Sequence, residues 1–360
     1  MADTYPIVRV AAVQASSVFL DRDATTEKAC RLIREAGAAG ARFIVFPEGF
    51  IPAHPLWYHH HVATSPKAMQ MAGDLFLNSV EVPSSTTEAL ARAAKDANAT
   101  VVMGVCEKRH DTMGTMYNTQ VFFGPDGTLL GKHQKIMPTV GERIVHTGGC
   151  GDTFGAVRTD FGPMSALICG ENTNPLAIFA LAAENTRIHA MSWPPYIGPQ
   201  AVPLRNVVEI KSKAFAMMAG AFVVSACGAL DDQTLTVLEL NAEHAERLRN
   251  PLFAGGSMIV APNGNVISEA QGSEECIIYG DCDLSLIIHI KMQQDLVGHY
   301  NRSDIFQLHL NRTAPQIYAT YTGIEGEKSK KPAPVSERKL PSLNAPSPLL
   351  PFNKSIVEEN

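Results

Sequence analysis

The chain has 360 residues, of which 45% are hydrophobic and 18% are charged, a composition typical of a globular protein with a substantial core. Its formal net charge of -6 argues against nucleic acid as a main partner, because a phosphate-binding face needs an excess of Lys and Arg. The start of the sequence lacks the order of a secretory signal, and no apolar run reaches the roughly 18 residues of a membrane span, so no membrane partner is expected.

The first 110 residues alternate strand and helix signals. The apolar spacing within residues 29–36 predicts a helix that Asp23 caps and that Gly37 and Gly40 end. A second helix is predicted to begin near Thr87. Short apolar runs predict strands at residues 7–14, 43–46 and 100–107.

Hairpins interrupt this alternation further along the chain. Turn signals predict strand pairs within residues 116–135, 157–169 and 258–267. Further strands are expected at 188–191, 221–226 and 276–282, and helices after Asn174-Pro175 and at 207–218 and 284–296. The polar stretch 231–251 is interpreted as a surface insertion. Strands and helices alternate with hairpins, which predicts an α/β fold with mixed rather than purely parallel sheets.

The end of the chain differs in composition from the rest. From about residue 326 proline, serine and charged residues dominate without any apolar period. We therefore expect one domain over residues 1–325 and a flexible or extended tail over residues 326–360.

Three reactive side chains each stand at the C-terminal end of an apolar strand, where loops open a pocket in layered α/β proteins. They are Glu48, Lys135 and Cys169. Each has an ordinary alternative: a solvated loop carboxylate, an exposed ammonium or a buried core thiol. Together they form a coherent set, because a thiol attacks as thiolate, a carboxylate can remove its proton and an ammonium can stabilise the anion.

The segments around these residues resemble the nitrilase superfamily, whose members use a Glu–Lys–Cys triad in this chain order. The segments are VFPEGF at 45–50, KHQKIMPT at 132–139 and ALICGEN at 166–172. The resemblance covers about residues 7–310 and implies a four-layer α-β-β-α sandwich that needs neither a cofactor nor a metal. It also implies a homo-oligomer with a dimer as its building block, extended to a spiral in some members.

Further segments favour the nitrilase branch over the amidase and carbamoylase branches. They are PTVGER at 138–143, NPLA at 174–177, HAMSWP at 189–194 and GHYNRSD at 298–304. The resemblance implies that Cys169 attacks a small-molecule nitrile to form a thioimidate, while Lys135 stabilises charge on nitrogen. Glu48 delivers water as general base and acid, so that ammonia and then a carboxylic acid leave, or an amide if the thiol is expelled first. Glu142 is expected to position Lys135 or a water, or alternatively to pair with a basic group such as Arg143.

Aromatic and polar residues near the motifs are candidates for a substrate pocket, although ordinary core packing would explain them equally well. They are Trp57, Gly170, Glu171, Trp193, Pro194 and Tyr196. Gly170 stands where many nitrilases have Trp, which predicts more room or a more mobile turn beside the thiol. Glu171 either tunes the site or caps the next helix.

Other readings of the sequence remain as alternatives. The run 59–61 of three histidines suggests a metal, but no second ligand cluster has metal-site spacing, so a polar loop beside the pocket is preferred. An amidase or carbamoylase on the same scaffold is the nearest rival, and a catalytically silent, filament-forming scaffold is the second. Seven cysteines without CxxC spacing favour a reduced, cytoplasmic setting over a redox sensor.

Overall fold

The computed structural model describes residues 3–198, 203–240, 242–250 and 253–314, and the short strands at 321–322 and 327–328. The strands in chain order are β1 (Ile7–Gln14), β2 (Phe43–Val45), β3 (Thr100–Lys108), β4 (Met116–Phe123), β5 (Leu129–Gln134), β6 (Val157–Thr159), β7 (Gly162–Ile168), β8 (Ile188–Trp193), β9 (Phe222–Cys227), β10 (Met258–Val260), β11 (Val266–Glu269), β12 (Cys276–Asp283), β13 (Tyr321–Thr322) and β14 (Glu327–Lys328). The α-helices are α1 (Arg22–Ala38), α2 (Pro66–Asn78), α3 (Ser85–Ala97), α4 (Pro175–Ala183), α5 (Leu204–Ala219), α6 (Asp232–Val237), α7 (Ala242–Arg249) and α8 (Leu286–Gln293).

Two six-stranded mixed sheets form the frame of the first structural unit, Met1–Ala314. The first sheet has the order β12-β1-β2-β3-β4-β5 and the second the order β11-β10-β9-β8-β7-β6. In each sheet three central strands are parallel, β1-β2-β3 in one and β7-β8-β9 in the other, and the outer strands join them antiparallel. The predicted mixed sheets are therefore confirmed.

The alternation of side chains along the strands builds the layers. One face of each sheet meets the other in a shared core that includes Val10, Phe43, Ala166 and Phe222. The opposite face of the first sheet packs against α1 and α3, and that of the second packs against α4 and α5. The predicted four-layer α-β-β-α sandwich is confirmed by this arrangement.

Several local predictions were wrong in instructive ways. Asp21, rather than Asp23, caps α1, because its side chain accepts a hydrogen bond from the backbone N–H of Ala24. Gly37 lies inside α1 instead of ending it, at a close approach where an added Cβ would lie 2.5 Å from Cβ of Ala97. The helix α2 was not predicted, although the pair Ser65-Pro66 is a typical helix start.

The segment predicted as a surface insertion forms α6 and α7. It is not wholly superficial, since Leu235, Leu238 and Leu248 are buried in a cluster that also contains Trp57 and Tyr196. The hydrophobic face of a polar, helix-prone segment thus packs beside the part of the molecule that holds the candidate pocket.

The second structural unit, Pro315–Asn360, is described only at β13 and β14, which pair antiparallel. The rest of the tail predicted at residues 326–360 lies outside the described residues. Within the described part of the chain, every helix is too short or too polar to span a membrane.

Candidate active site

The three reactive side chains predicted from the sequence lie on one cavity of about 340 Å³. Glu48 follows β2, Lys135 directly follows β5 and Cys169 directly follows β7. The first two belong to one sheet and the third to the other, so the cavity opens where the strand ends of both sheets meet. The remaining lining residues are His54, Tyr58, His59, Thr139, Val140, Glu142, Pro194, Tyr196, Ile197 and Gly198.

A buried ammonium shared by two carboxylates forms the floor of the site. Lys135 Nζ donates to Glu48 Oε1 at 2.7 Å and to Glu142 Oε2 at 2.6 Å. The side chains of Lys135, Glu48 and Glu142 are only 1%, 0% and 1% exposed. Charged groups so deeply buried require partners of opposite sign, and here one ammonium serves both carboxylates.

Asn118 on β4 was not predicted and links both carboxylates. Its Nδ2 donates to Glu48 Oε1 and to Glu142 Oε1, each at 2.7 Å. The two carboxylates are hydrogen-bond acceptors, so they fix the orientation of the Asn118 amide, because only its nitrogen can donate. No local pattern in the sequence points to this role, since the two carboxylates lie 70 and 24 residues away along the chain.

Glu142 is held by four hydrogen bonds. Besides Lys135 and Asn118, the backbone N–H of Thr139 donates to Oε2 at 2.9 Å and His146 Nδ1 bonds Oε1 at 3.3 Å. Burial alone would raise the pKa of Glu142, but the hydrogen bond with His146 and the charge of Lys135 hold it well below the usual range. Arg143, the alternative partner predicted from the sequence, instead donates from Nε to the carbonyl of Pro138.

Glu48 differs from Glu142 in the hydrogen bonding of its second oxygen. Oε1 accepts from Lys135 and Asn118, whereas Oε2 is buried and has no hydrogen-bond partner among the described residues. Burial raises the pKa of Glu48 to about 7; the ammonium of Lys135 opposes this rise and the charge of Glu142 adds to it. A carboxylate with such a pKa exchanges protons near neutral pH.

Cys169 begins a 3₁₀ turn in the left-handed region, with a φ of 50°. A non-glycine residue in this region is uncommon and is found at strained, functional turns. Burial raises the pKa of the Cys169 thiol to about 12, with Glu48 adding to the rise and Lys135 opposing it. The thiol therefore needs a neighbouring base before it can attack as a thiolate.

The predicted pocket residues divide into two groups. Pro194 and Tyr196 line the cavity, and Gly170 lies next to it, since an added Cβ would lie 3.4 Å from Oγ1 of the lining residue Thr139. The other three, Trp57, Glu171 and Trp193, are buried and lie outside the cavity lining.

The three histidines at residues 59–61 have different surroundings. His59 lines the cavity, His60 Nε2 hydrogen-bonds the hydroxyl of Tyr196, and His61 Nε2 bonds the carbonyl of Leu238 at 3.0 Å. In the described ranges, no group of three or more His, Cys, Asp or Glu side chains is arranged to hold a metal ion.

The sequence is similar to a protein family and to curated proteins that carry the name nitrilase. A family model described as carbon-nitrogen hydrolase matches residues 9–292. A protein named nitrilase 3, from an unknown prokaryotic organism, is 37% identical over 86% of this chain and 91% of its own length. An aliphatic nitrilase of Sinorhizobium fredii (strain HH103) is 37% identical over 83% of this chain and 94% of its own length.

Solved structures agree on the fold. A carbon-nitrogen hydrolase from Helicobacter pylori G27 matches with a TM-score of 0.65 at 18% identity, covering 83% of this chain and 97% of that structure. Nit3 of Saccharomyces cerevisiae matches with a TM-score of 0.60 at 20% identity, covering 81% of this chain and 96% of that structure. The chain therefore belongs to the carbon-nitrogen hydrolase family, as a hydrolase of its nitrilase branch.

Proposed function

We propose that the protein hydrolyses an organic nitrile to the carboxylic acid and ammonia, with Cys169 as nucleophile. The observation that carries the proposal is the ammonium of Lys135, held between Glu48 and Glu142 on the same cavity that Cys169 lines. This arrangement offers a thiol, a base with a free oxygen and a fixed positive charge to one small electrophile.

In the first step the free Oε2 of Glu48 takes the proton of the Cys169 thiol, and sulfur adds to the nitrile carbon. Electron density moves to the nitrile nitrogen, which takes up the proton that Glu48 now holds and gives a covalent thioimidate. Two of the three N–H groups of Lys135 are engaged by carboxylates. The third has no acceptor among the described residues and can stabilise the charge that develops on nitrogen, where a preorganised donor is most effective.

In the second step Glu48 removes a proton from a water that adds to the thioimidate carbon. The tetrahedral intermediate expels ammonia and leaves a thioester, and a second water releases the carboxylic acid and restores the thiol. Expulsion of the thiol instead of ammonia gives the amide. Glu142 does not exchange protons in this scheme, because its four hydrogen bonds keep it ionised.

The expected assembly follows from the resemblance to nitrilases, and the expected location follows from the seven cysteines without CxxC spacing. We expect a homo-oligomer that is built from dimers and extends to a spiral, and a cytoplasmic location. Light scattering of the purified protein tests the assembly, since a mass of a single chain at working concentration would contradict it.

A substrate panel tests the reaction. Ammonia release is measured from aliphatic, arylaliphatic and aromatic nitriles and from the matching amides, with acid and amide products separated by chromatography. Ammonia and acid from nitriles are the expected result. Ammonia from amides alone would move the protein to an amidase or carbamoylase function, and no release from any compound would favour a silent, filament-forming scaffold.

A further inference from the structure

The candidate catalytic groups come from two different sheets, and among the described strands only an isolated bridge, between Ala15 and Gly228, joins those sheets. Glu48 is tied across the gap by its backbone N–H, which donates to the carbonyl of Trp193 at 3.1 Å. Lys135, at the end of an edge strand, needs a comparable connection to Cys169. The structure contains one, and it consists of a side chain outside the cavity.

We infer that Glu171 is a positioning residue that fixes Lys135 and Cys169 relative to each other. Its Oε1 accepts the backbone N–H of Ile136, the residue after Lys135, at 2.7 Å. Its Oε2 accepts the backbone N–H of Ile168, the residue before Cys169, at 3.0 Å. One carboxylate therefore bonds the immediate neighbours of two candidate catalytic residues, one on each sheet.

A third donor fixes the carboxylate itself. His133 Nε2 lies 2.9 Å from Oε2 of Glu171, and both side chains are nearly closed to solvent, at 2% and 5% exposure. The carboxylate is thus bonded on both oxygens in a region where water cannot replace a lost partner. Hydrogen bonds to a charged acceptor in such surroundings are stronger and more directional than those at a surface.

The hydrogen bond between Ile168 and Glu171 matters because of the backbone conformation at Cys169. Cys169 has a φ of 50°, a conformation that non-glycine residues adopt rarely and at an energetic cost. The bond from Ile168 to Glu171 closes the turn around Cys169 and so supports this conformation. Because Glu171 does not line the cavity, it acts through Lys135 and Cys169 and not on the substrate.

The test, which rests on the proposed function, compares Glu171→Gln with a matched variant. The amide keeps the shape of the side chain but must present a donor to one of the two backbone N–H groups. Glu107→Gln is the control, because Glu107 is also buried and accepts from Thr119 Oγ1 at 2.8 Å and Gln134 Nε2 at 3.0 Å, yet it does not line the cavity. Both variants lose hydrogen bonds to a buried carboxylate, but only Glu171→Gln loses the connection between Lys135 and Cys169.

We expect Glu171→Gln to lower kcat on the order of 10²-fold with KM little changed, since misplacement of reacting groups slows chemistry without weakening ground-state binding. Glu107→Gln should keep the wild-type kcat even if its thermal midpoint falls as far as that of Glu171→Gln. A wild-type kcat in Glu171→Gln, or equal losses of kcat in both variants, would overturn the inference.

Two further measurements keep the test decisive. If the wild type hydrolyses no nitrile, the proposed function fails, and the alkylation rate of Cys169 by iodoacetamide, followed by peptide mass spectrometry, replaces kcat. That rate should fall in Glu171→Gln because Lys135 no longer stabilises the thiolate, and an unchanged rate would overturn the inference. If Glu171→Gln does not fold, His133→Phe removes one donor to the carboxylate and should lower kcat in the same direction, whereas an unchanged kcat would overturn the inference.

Discussion

At the scale of single residues, the site confines two carboxylates and one ammonium in a space nearly closed to water. Full ionisation of Glu48, Glu142 and Lys135 would leave one uncompensated negative charge, which burial disfavours. The two carboxylates resolve this conflict differently. Glu142 has four hydrogen bonds and stays ionised, whereas Glu48 has one oxygen without a partner in the described part of the chain and a pKa raised to about 7. The division lets Glu48 alternate between base and acid.

The pH dependence of activity follows from this division. Glu48 must be ionised to accept the thiol proton, so kcat/KM should fall as the pH drops through the pKa of Glu48, near 7 in the free enzyme. The acid limb of the pH profile should lie above the ordinary pKa of glutamate, because burial raises the pKa of Glu48. A profile of kcat/KM over about pH 5 to 9 measures it, and a limb near the ordinary value of 4.5 would contradict the assignment.

A pair of neighbouring variants controls this prediction. The hydrogen bond from Asn118 lowers the pKa of Glu48, so Asn118→Ala should move the acid limb to higher pH. Thr119→Val removes a buried hydrogen bond to Glu107 from the next position on the same strand and should leave the limb in place. Equal shifts in both variants would show that disruption of β4, rather than loss of this one bond, moves the limb.

At the scale of elements, strands were far easier to predict than helix boundaries and side-chain partners. The short apolar runs around residues 43–46 and 100–107 correspond closely to β2 and β3, because strands buried on both faces have little freedom in composition. Helix α2 was missed because its exposed Met69 and Leu77 weaken the apolar period. The polar N-cap residue Ser65 was the remaining sequence signal for this helix.

The site was predictable only where its residues occur in continuous motifs. Glu48, Lys135 and Cys169 could be selected because each ends an apolar strand and each carries reactive chemistry. Asn118 could not, because a strand amide acquires a role only when the fold brings two distant carboxylates to it. Glu171 was considered for the pocket, yet its carboxylate turns back to backbone groups that the sequence does not reveal.

Packing between elements predicts opposite effects for the same substitution in two helices. At Gly37 in α1 a new Cβ would lie 2.5 Å from Cβ of Ala97 in α3, so Gly37→Ala should cost about 1 to 3 kcal/mol of stability. At Gly73 in α2 nothing lies within 4 Å of the new atom, so Gly73→Ala should gain about 0.5 to 1 kcal/mol. Urea unfolding measures both changes, and a shift of the same sign in both variants would contradict the packing described.

At the scale of the whole molecule, the two sheets share one apolar core. Phe43 of the first sheet packs edge-to-face against Phe161 beside the second, with ring centroids 5.8 Å apart. Neither sheet can expose its inner face without exposing that of its partner. The site lies where the strand ends of both sheets meet, so its geometry depends on the sandwich remaining intact.

This shared core predicts that both halves unfold together. The chain has two tryptophans, Trp193 on β8 of the second sheet and Trp57 in a short 3₁₀ helix (Leu56–His59) after β2. The variants Trp57→Phe and Trp193→Phe each keep one tryptophan. In each variant, the urea midpoint from tryptophan fluorescence should coincide with the urea midpoint from far-ultraviolet circular dichroism. A fluorescence midpoint separate from the circular dichroism midpoint would show that one sheet unfolds independently.

The most direct test of the whole account compares two buried thiols. Ammonia release from the best nitrile of the panel is measured for the wild type, Cys169→Ala and Cys227→Ala. Cys227 is the matched control, because it is buried at the end of β9 in the same sheet as the nucleophile but does not line the cavity. Loss of ammonia release in Cys169→Ala with activity retained in Cys227→Ala is the predicted result, and release that persists in Cys169→Ala would contradict the mechanism.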